Sequence, residues 1–267
     1  MLEAFPPIQN VIGFPVTALP FDAQISLVMK WASARLSKYV CVANVHMLME
    51  AHTDPSFASV LEAADMVTPD GMPLVWLMKL MGVPHQDRVA GMDIFLALCK
   101  QASTEGISVF FLGSKPDILE RMKKNLCEEF PELQVADMQP LPFRPLTLEE
   151  DEAMVQKINE SGARLVLVSL GCPKQEIWMN QHQGKVEAVM LGLGGVFPVY
   201  AGIHKWAPNW VRRAGLEWLY RLLQEPRRLW RRYFATIPPF LYLASKQVLA
   251  NWVRSLRKVR SDYSRYL

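Results

Sequence analysis

The chain predicts an α/β protein: a Rossmann-like, mostly parallel sheet with helices on both faces, followed by a basic helical C-terminal appendage. Three observations carry that expectation. Short apolar, β-branched runs bounded by turn signals read as buried strands. They alternate with helical stretches at a spacing suited to strand–helix–strand units. From His204 onward the composition turns basic and rich in tryptophan.

The elements follow in order. Asp22 to Lys38 reads as an amphipathic helix and Tyr39 to Ala43 as a strand, with Asn44 directly at its carboxyl end. Asp54 caps a helix that has Pro55 at its first position and runs to about Ala64. Met66 to Thr68 is a brief strand, and Pro69, Asp70 and Gly71 turn the chain into a helix over Pro73 to Met81. A helix follows Gly91 to about Thr104. Ile107 to Leu112, Leu133 to Ala136, Leu165 to Leu170 and Val186 to Leu191 read as strands. Pro116 to Phe130, a stretch from Thr147 to about Asn159, and Lys174 to Gln183 read as helices, Thr147 and Glu150 forming a capping box. In the tail, Gly215 to Gln224, Pro226 to Phe234 and Leu241 to Leu256 read as separate helices. In the last, Leu241, Val248, Leu249, Trp252 and Leu256 fall on one face and Lys246, Arg254 and Arg257 on another. The expected division is a body over 1–203 and an appendage over 204–267.

With 267 residues, 51% hydrophobic and 21% charged, the chain suits one α/β domain with an appendage and excludes wholesale disorder. Its net charge of +3 hides an asymmetry. Residues 1–203 carry 15 Lys+Arg against 23 Asp+Glu; residues 204–267 carry 14 against 3. A basic tail on an acidic body points to an anionic partner: nucleic acid, lipid or a diphosphate. Five of the eight tryptophans lie in that tail, which favours a membrane interface over nucleic acid. Cys41, Cys99, Cys127 and Cys172 form no metal-ligand or redox spacing and read as reduced, mostly buried thiols. The first residues lack a signal-peptide pattern, and no apolar stretch reaches the roughly 18 residues a span needs. A soluble or peripheral protein on the cytoplasmic side is expected.

Several residues have the chemistry of a site. Asp70 puts a carboxylate at the sheet's carboxyl edge, where a general base reaches a substrate hydroxyl; locally it also fits a turn. Asn44 suits either a sugar contact or a helix cap. Gly171 to Glu176 joins a strand to a helix N-terminus, with Lys174 and Gln175 as donors toward an anion. Gly192, Gly194 and Gly195 resemble a dinucleotide fingerprint but lack its full spacing. Arg88 precedes a helix and can pair with phosphate or with a surface carboxylate. Arg212, Arg213, Arg221, Arg227, Arg228, Arg231 and Arg232 are mostly paired in sequence, a composition suited to bidentate phosphate contacts. No Asp-x-Asp occurs, so a chelated metal has no obvious ligand pair, and no metal or cofactor is expected.

Taken together, the segments Asn44 to Leu48, Ala64 to Gly71, Arg88 to Asp93, Phe110 to Gly113, Gly171 to Glu176, Gly192 to Gly195, Tyr200 to Gly202 and Leu216 to Tyr233 resemble the WecG/TagA/CpsF glycosyltransferases, glycosyltransferase family 26, over about residues 10–235. The resemblance implies an inverting, metal-independent transferase. It would move N-acetylmannosamine, its uronate or glucose from UDP to a polyprenyl-diphosphate-linked sugar, at the cytoplasmic face of the membrane. Asp70 matches the family's proposed base; Asn44, Arg88 and Gln175 match proposed substrate contacts. The tail matches an appendage thought to dock on the membrane and close over the site. Three departures stand out: Val42 where relatives carry Thr, Leu141, Pro142 and Phe143 where they carry Gly-Tyr-Phe, and Pro198 where they carry Asp. The alternative class is a degenerate docking or scaffold protein that binds UDP-sugar without turnover. Nucleic acid is not expected as a partner, and a homo-oligomer is left open.

Overall fold

The computed structural model describes residues 6–142 and 144–263, with side chains in the last helix to Arg254. The side chains of Leu256 and Arg257, and Phe143, lie outside the described residues. The elements are β1 (Ile8–Val11), β2 (Phe14–Thr17), α1 (Phe21–Ser33), β3 (Lys38–Ala43), α2 (Val45–Thr53), α3 (Pro55–Glu62), β4 (Met66–Pro69), α4 (Met72–Leu80), α5 (Gly91–Glu105), β5 (Val109–Gly113), α6 (Pro116–Glu129), β6 (Val135–Gln139), α7 (Leu148–Glu160), β7 (Leu165–Ser169), α8 (Lys174–His182), β8 (Val189–Gly192), α9 (Val196–Tyr200), α10 (Asn209–Arg213), α11 (Glu217–Gln224) and α12 (Pro226–Tyr263).

Six strands form one parallel sheet in the order β4-β3-β8-β7-β5-β6. Alternate residues of each strand feed opposite faces. Tyr39, Cys41 and Ala43 join one core cluster with Phe110, Leu112, Val166 and Val168, under the β1–β2 hairpin, α2, α3, α4, α8 and α12. Val40 and Val42 join the other with Val109, Phe111, Leu165 and Leu167, under α1, α5, α6 and α9. Because both faces are covered, the inner strands β3, β5, β7 and β8 are apolar over nearly their whole length. The fold class read from the sequence is the one observed.

Local chemistry sets several boundaries. Asn44 caps α2 by accepting from Met47 N at 3.2 Å, Asp54 caps α3, and Thr147 with Glu150 forms the capping box of α7. Cys41 and Cys99 are buried and Cys172 half-buried, whereas Cys127 is exposed.

The tail departs from its expected shape. The two helices read as Pro226 to Phe234 and Leu241 to Leu256 are one helix, α12, running through Pro238 and Pro239. Each proline removes one backbone donor. The carbonyls so released belong to Phe234 and Ala235, both exposed, where water can bond them. Phe240, Leu243, Ala244 and Val248 pack on the core just past the prolines and anchor the helix there. The expected single apolar face is therefore split: Val248 turns inward, while Leu241, Leu249 and Trp252 face out. Gln247 ties α12 to the first hairpin, its Oε1 accepting from Ile12 N at 2.8 Å.

Candidate active site

In a doubly wound sheet, the strand carboxyl ends open into a crevice that no element fills. Here that crevice is a cavity of about 1160 Å³, running from the end of β4 to the segment after β6 and roofed by α11 and α12. Asp70 extends β4, its amide donating to Ala43 O at 2.8 Å. Val89 N donates to Pro69 O at 2.9 Å, so the segment before α5 runs beside the strand end and brings Arg88 next to Asp70. The Asp70 carboxylate also accepts from the Gly91 amide at the start of α5.

These surroundings tune the carboxyl. Burial raises its pKa to about 6, helped by the nearby Glu217 charge and opposed by Arg88, Arg221 and the Gly91 amide. That value suits a base working near neutral pH. Arg88 is itself nearly covered. Burial works against its charge, but Asp70, Glu217 and Asp93 outweigh it and raise the pKa. Its Nη1 lies 2.8 Å from Glu217 Oε2 and its Nη2 3.6 Å from Asp93 Oδ2.

Asn44 spends Oδ1 on its helix cap while its side chain faces the cavity. Gly171 and Lys174 line the wall below β7, Lys174 exposed at the first position of α8. Gln175 is buried beneath them. Its Oε1 accepts from Gly171 N at 3.2 Å and its Nε2 donates to Glu176 Oε1 at 2.7 Å, so it braces this turn. Glu176 is fully buried, and burial raises its pKa to about 7. Gly194 and Gly195 form the turn after β8, with Ser169 Oγ donating to Gly194 O at 2.7 Å. Gly195 leaves room for a neighbour: a side-chain carbon built on it would fall 2.8 Å from Arg221 Nη2.

The seven tail arginines go to three places. Arg221, Arg228 and Arg232 line the cavity. Arg232 is largely buried, and its Nε has no hydrogen-bond partner among the described residues. Burial lowers its pKa, as does repulsion from Arg221 and Arg228. Arg212 instead clips the tail to the body, bonding Asp93 at 3.2 Å and stacking over Trp206 at 3.9 Å. Arg213, Arg227 and Arg231 are exposed outside the cavity. Val42 and Pro198, two of the departures noted in the sequence, both line it. The residue that sequence reasoning passed over is Glu217. Its signal was its rarity, as one of three acidic residues in the basic tail.

Residues 9–254 match the model described as Glycosyl transferase WecG/TagA/CpsF family, and the chain belongs to that family. It is thus a glycosyltransferase. A relative from Bacillus spizizenii, named N-acetylglucosaminyldiphosphoundecaprenol N-acetyl-beta-D-mannosaminyltransferase, is 33% identical over 230 residues, covering 86% of this chain and 87% of its own. Among the described residues, no helix is long and apolar enough to cross a membrane.

Proposed function

We propose that the chain transfers an N-acetylhexosamine, N-acetylmannosamine first among the candidates, from its UDP derivative to a sugar carried on a polyprenyl diphosphate, with inversion, in cell-surface polysaccharide synthesis. The observation that carries this reading is the meeting of Asp70 and three appendage arginines in one cavity. Asp70 takes the proton of the acceptor hydroxyl, and the oxygen attacks the anomeric carbon. The bond from that carbon to the diphosphate breaks, and UDP leaves with the electron pair. Arg221, Arg228 and Arg232 stabilise the charge that develops on it. The relative's acceptor, by its name, is a diphosphoundecaprenol carrying N-acetylglucosamine, which supports the lipid-linked class.

The test pairs binding with turnover. UDP at a hundred times its Kd should stabilise the native chain by about 2.7 kcal/mol, read as a raised melting temperature. A panel of UDP-sugars with a short-chain polyprenyl-diphosphate acceptor should release UDP with one of them. Failure of both would end the proposal. Val42 and Pro198, apolar on the cavity wall, favour a second reading of binding without turnover. Stabilisation by UDP with no release from any donor would select it.

The tail also carries the proposed membrane contact at the cytoplasmic face. Phe234, Leu223 and Trp210 are 78%, 74% and 70% exposed, with Arg213, Arg227 and Arg231 on the same appendage. Exposed apolar side chains with arginines suit an anionic interface, each charge contributing on the order of 1 kcal/mol. The protein is expected to float with vesicles containing phosphatidylglycerol and to dissociate as salt rises. A Leu223→Ser, Phe234→Ser double variant should stay in the soluble fraction. Equal flotation of that variant would place the contact elsewhere.

A further inference from the structure

The appendage brings more than arginines to the cleft. Its Glu217, the first residue of α11, reaches across 129 positions of sequence to Arg88 at 2.8 Å. An acidic residue at a helix N-terminus ordinarily serves the helix alone. Here the carboxylate leaves the helix, lines the cavity and joins a chain of alternating charge: Glu217, Arg88, Asp93, Arg212. The body supplies the middle two members and the appendage the outer two. The turn between Arg212 and Glu217 is pressed onto the body as well, since a side-chain carbon on Gly215 would fall 2.9 Å from the Trp76 ring. Arg212 and Glu217 therefore hold the appendage on either side of a close contact, and one of the two holds it through a residue of the site.

Among the described residues, Arg88 forms ion pairs with Glu217 and Asp93 and none with Asp70. A carboxylate locked in a close pair with a guanidinium is a poor base, because the pair favours its charged form. The alternating chain gives Arg88 other partners and leaves Asp70 with no ion pair among the described residues. We propose that Glu217 is a positioning residue of the transfer site: gripping Arg88 from the appendage, it keeps that guanidinium off Asp70, so that Asp70 is free to take a proton only while α11 is seated. This inference rests on the reading of Asp70 as the base.

The charged groups facing Asp70 are Arg88 from the segment before α5 and Glu217 and Arg221 from α11; α5 itself offers the neutral Gly91 amide. Removing the Glu217 charge withdraws the one like charge and frees Arg88 to swing onto Asp70. Both changes favour the carboxylate form.

The test is the pH dependence of kcat/KM for the full chain, with a UDP-sugar donor and a polyprenyl-diphosphate acceptor, for wild type, Glu217→Gln and Glu217→Asp. In Glu217→Gln the acid limb should move to lower pH by about half a unit to one unit, and the plateau should fall by up to about tenfold, as expected for a weaker base. Glu217→Asp keeps the charge and should keep the limb. An unmoved limb in Glu217→Gln, or equal plateau losses in both variants with no shift in either, would overturn the inference, because loss of a purely structural clip lowers the plateau without moving the limb. Asp70→Asn separates this failure from failure of the base reading. If it abolishes transfer while the Glu217→Gln limb stays put, only the role of Glu217 falls. If it leaves transfer intact, both fall.

Discussion

Asp70→Asn is expected to lower transfer by about 10²- to 10⁴-fold, the range a general base contributes, while UDP binding persists. Asn keeps the size of the side chain and cannot accept the hydroxyl proton. Wild-type activity should fall as the pH drops through about 6, where the Asp70 carboxyl gains its proton. The same burial predicts an effect on stability of the opposite sense to that of a salt-bridged aspartate. The folded value of about 6 lies above the ordinary 3.8. Between those two pH values the native state holds a proton that the unfolded chain has lost, so stability falls as pH rises through that window. Above it, the charged carboxylate costs the fold on the order of 1–3 kcal/mol. Asp70→Asn escapes that cost and should melt several degrees higher than wild type at pH 8, with the difference vanishing near pH 4. A variant that loses activity while gaining stability is the signature of a group kept for chemistry. Unchanged transfer would remove Asp70 from the mechanism.

The sheet was legible because its strands are short apolar runs and its helices open on recognisable caps. Asn44, Asp54 with Pro55, and Thr147 with Glu150 all sit where the sequence put them. The β1–β2 hairpin was not read. Its strands are four residues each, Pro15 interrupts the second, and its Ile12–Gly13 turn has one residue that rarely adopts a positive φ. The unbroken course of α12 was hidden for a different reason. Two adjacent prolines end most helices, and only the exposure of the carbonyls they release, with Phe240 anchored in the core, lets this one continue. In the site, the arginines show the limit of composition. Arg228 and Arg232 stand four apart and share one helix face; Arg227 and Arg231 share the face about 100° away. Periodicity divides them into two pairs. Only the docking of α12 on α2 and α4 decides which pair looks into the cavity. Glu217 stood out as an acidic residue in the basic tail, but its partner was illegible for the same reason, since Arg88 is local to nothing in the tail.

Arg221→Ala is expected to cost about 10²- to 10³-fold in kcat and to weaken UDP binding, because in the proposed mechanism Arg221 meets the charge that gathers on the leaving diphosphate. Its companions differ in how far they are already neutralised. Arg88 and Arg212 pair with carboxylates, and Arg228 bonds Glu225 of its own helix junction. Among the described residues Arg221 has no ion pair, and Arg232 is covered with its Nε unpaired. Arg221 and Arg232 repel each other across the cavity, a repulsion that a bound diphosphate would relieve. Removing Arg221 should therefore shrink the stabilisation that UDP provides. Arg221→Lys restores the charge without the two-pronged donor and should recover only part of the activity. Gly195→Ala approaches the same point from the body. Its methyl would meet Arg221 Nη2 at 2.8 Å, so the guanidinium must withdraw and UDP affinity must drop without any change to a charged group. If Gly195→Ala and Arg221→Ala both left UDP-induced stabilisation intact, the diphosphate would not lie under α11, and the arginines that line the cleft would have to answer to a different anion.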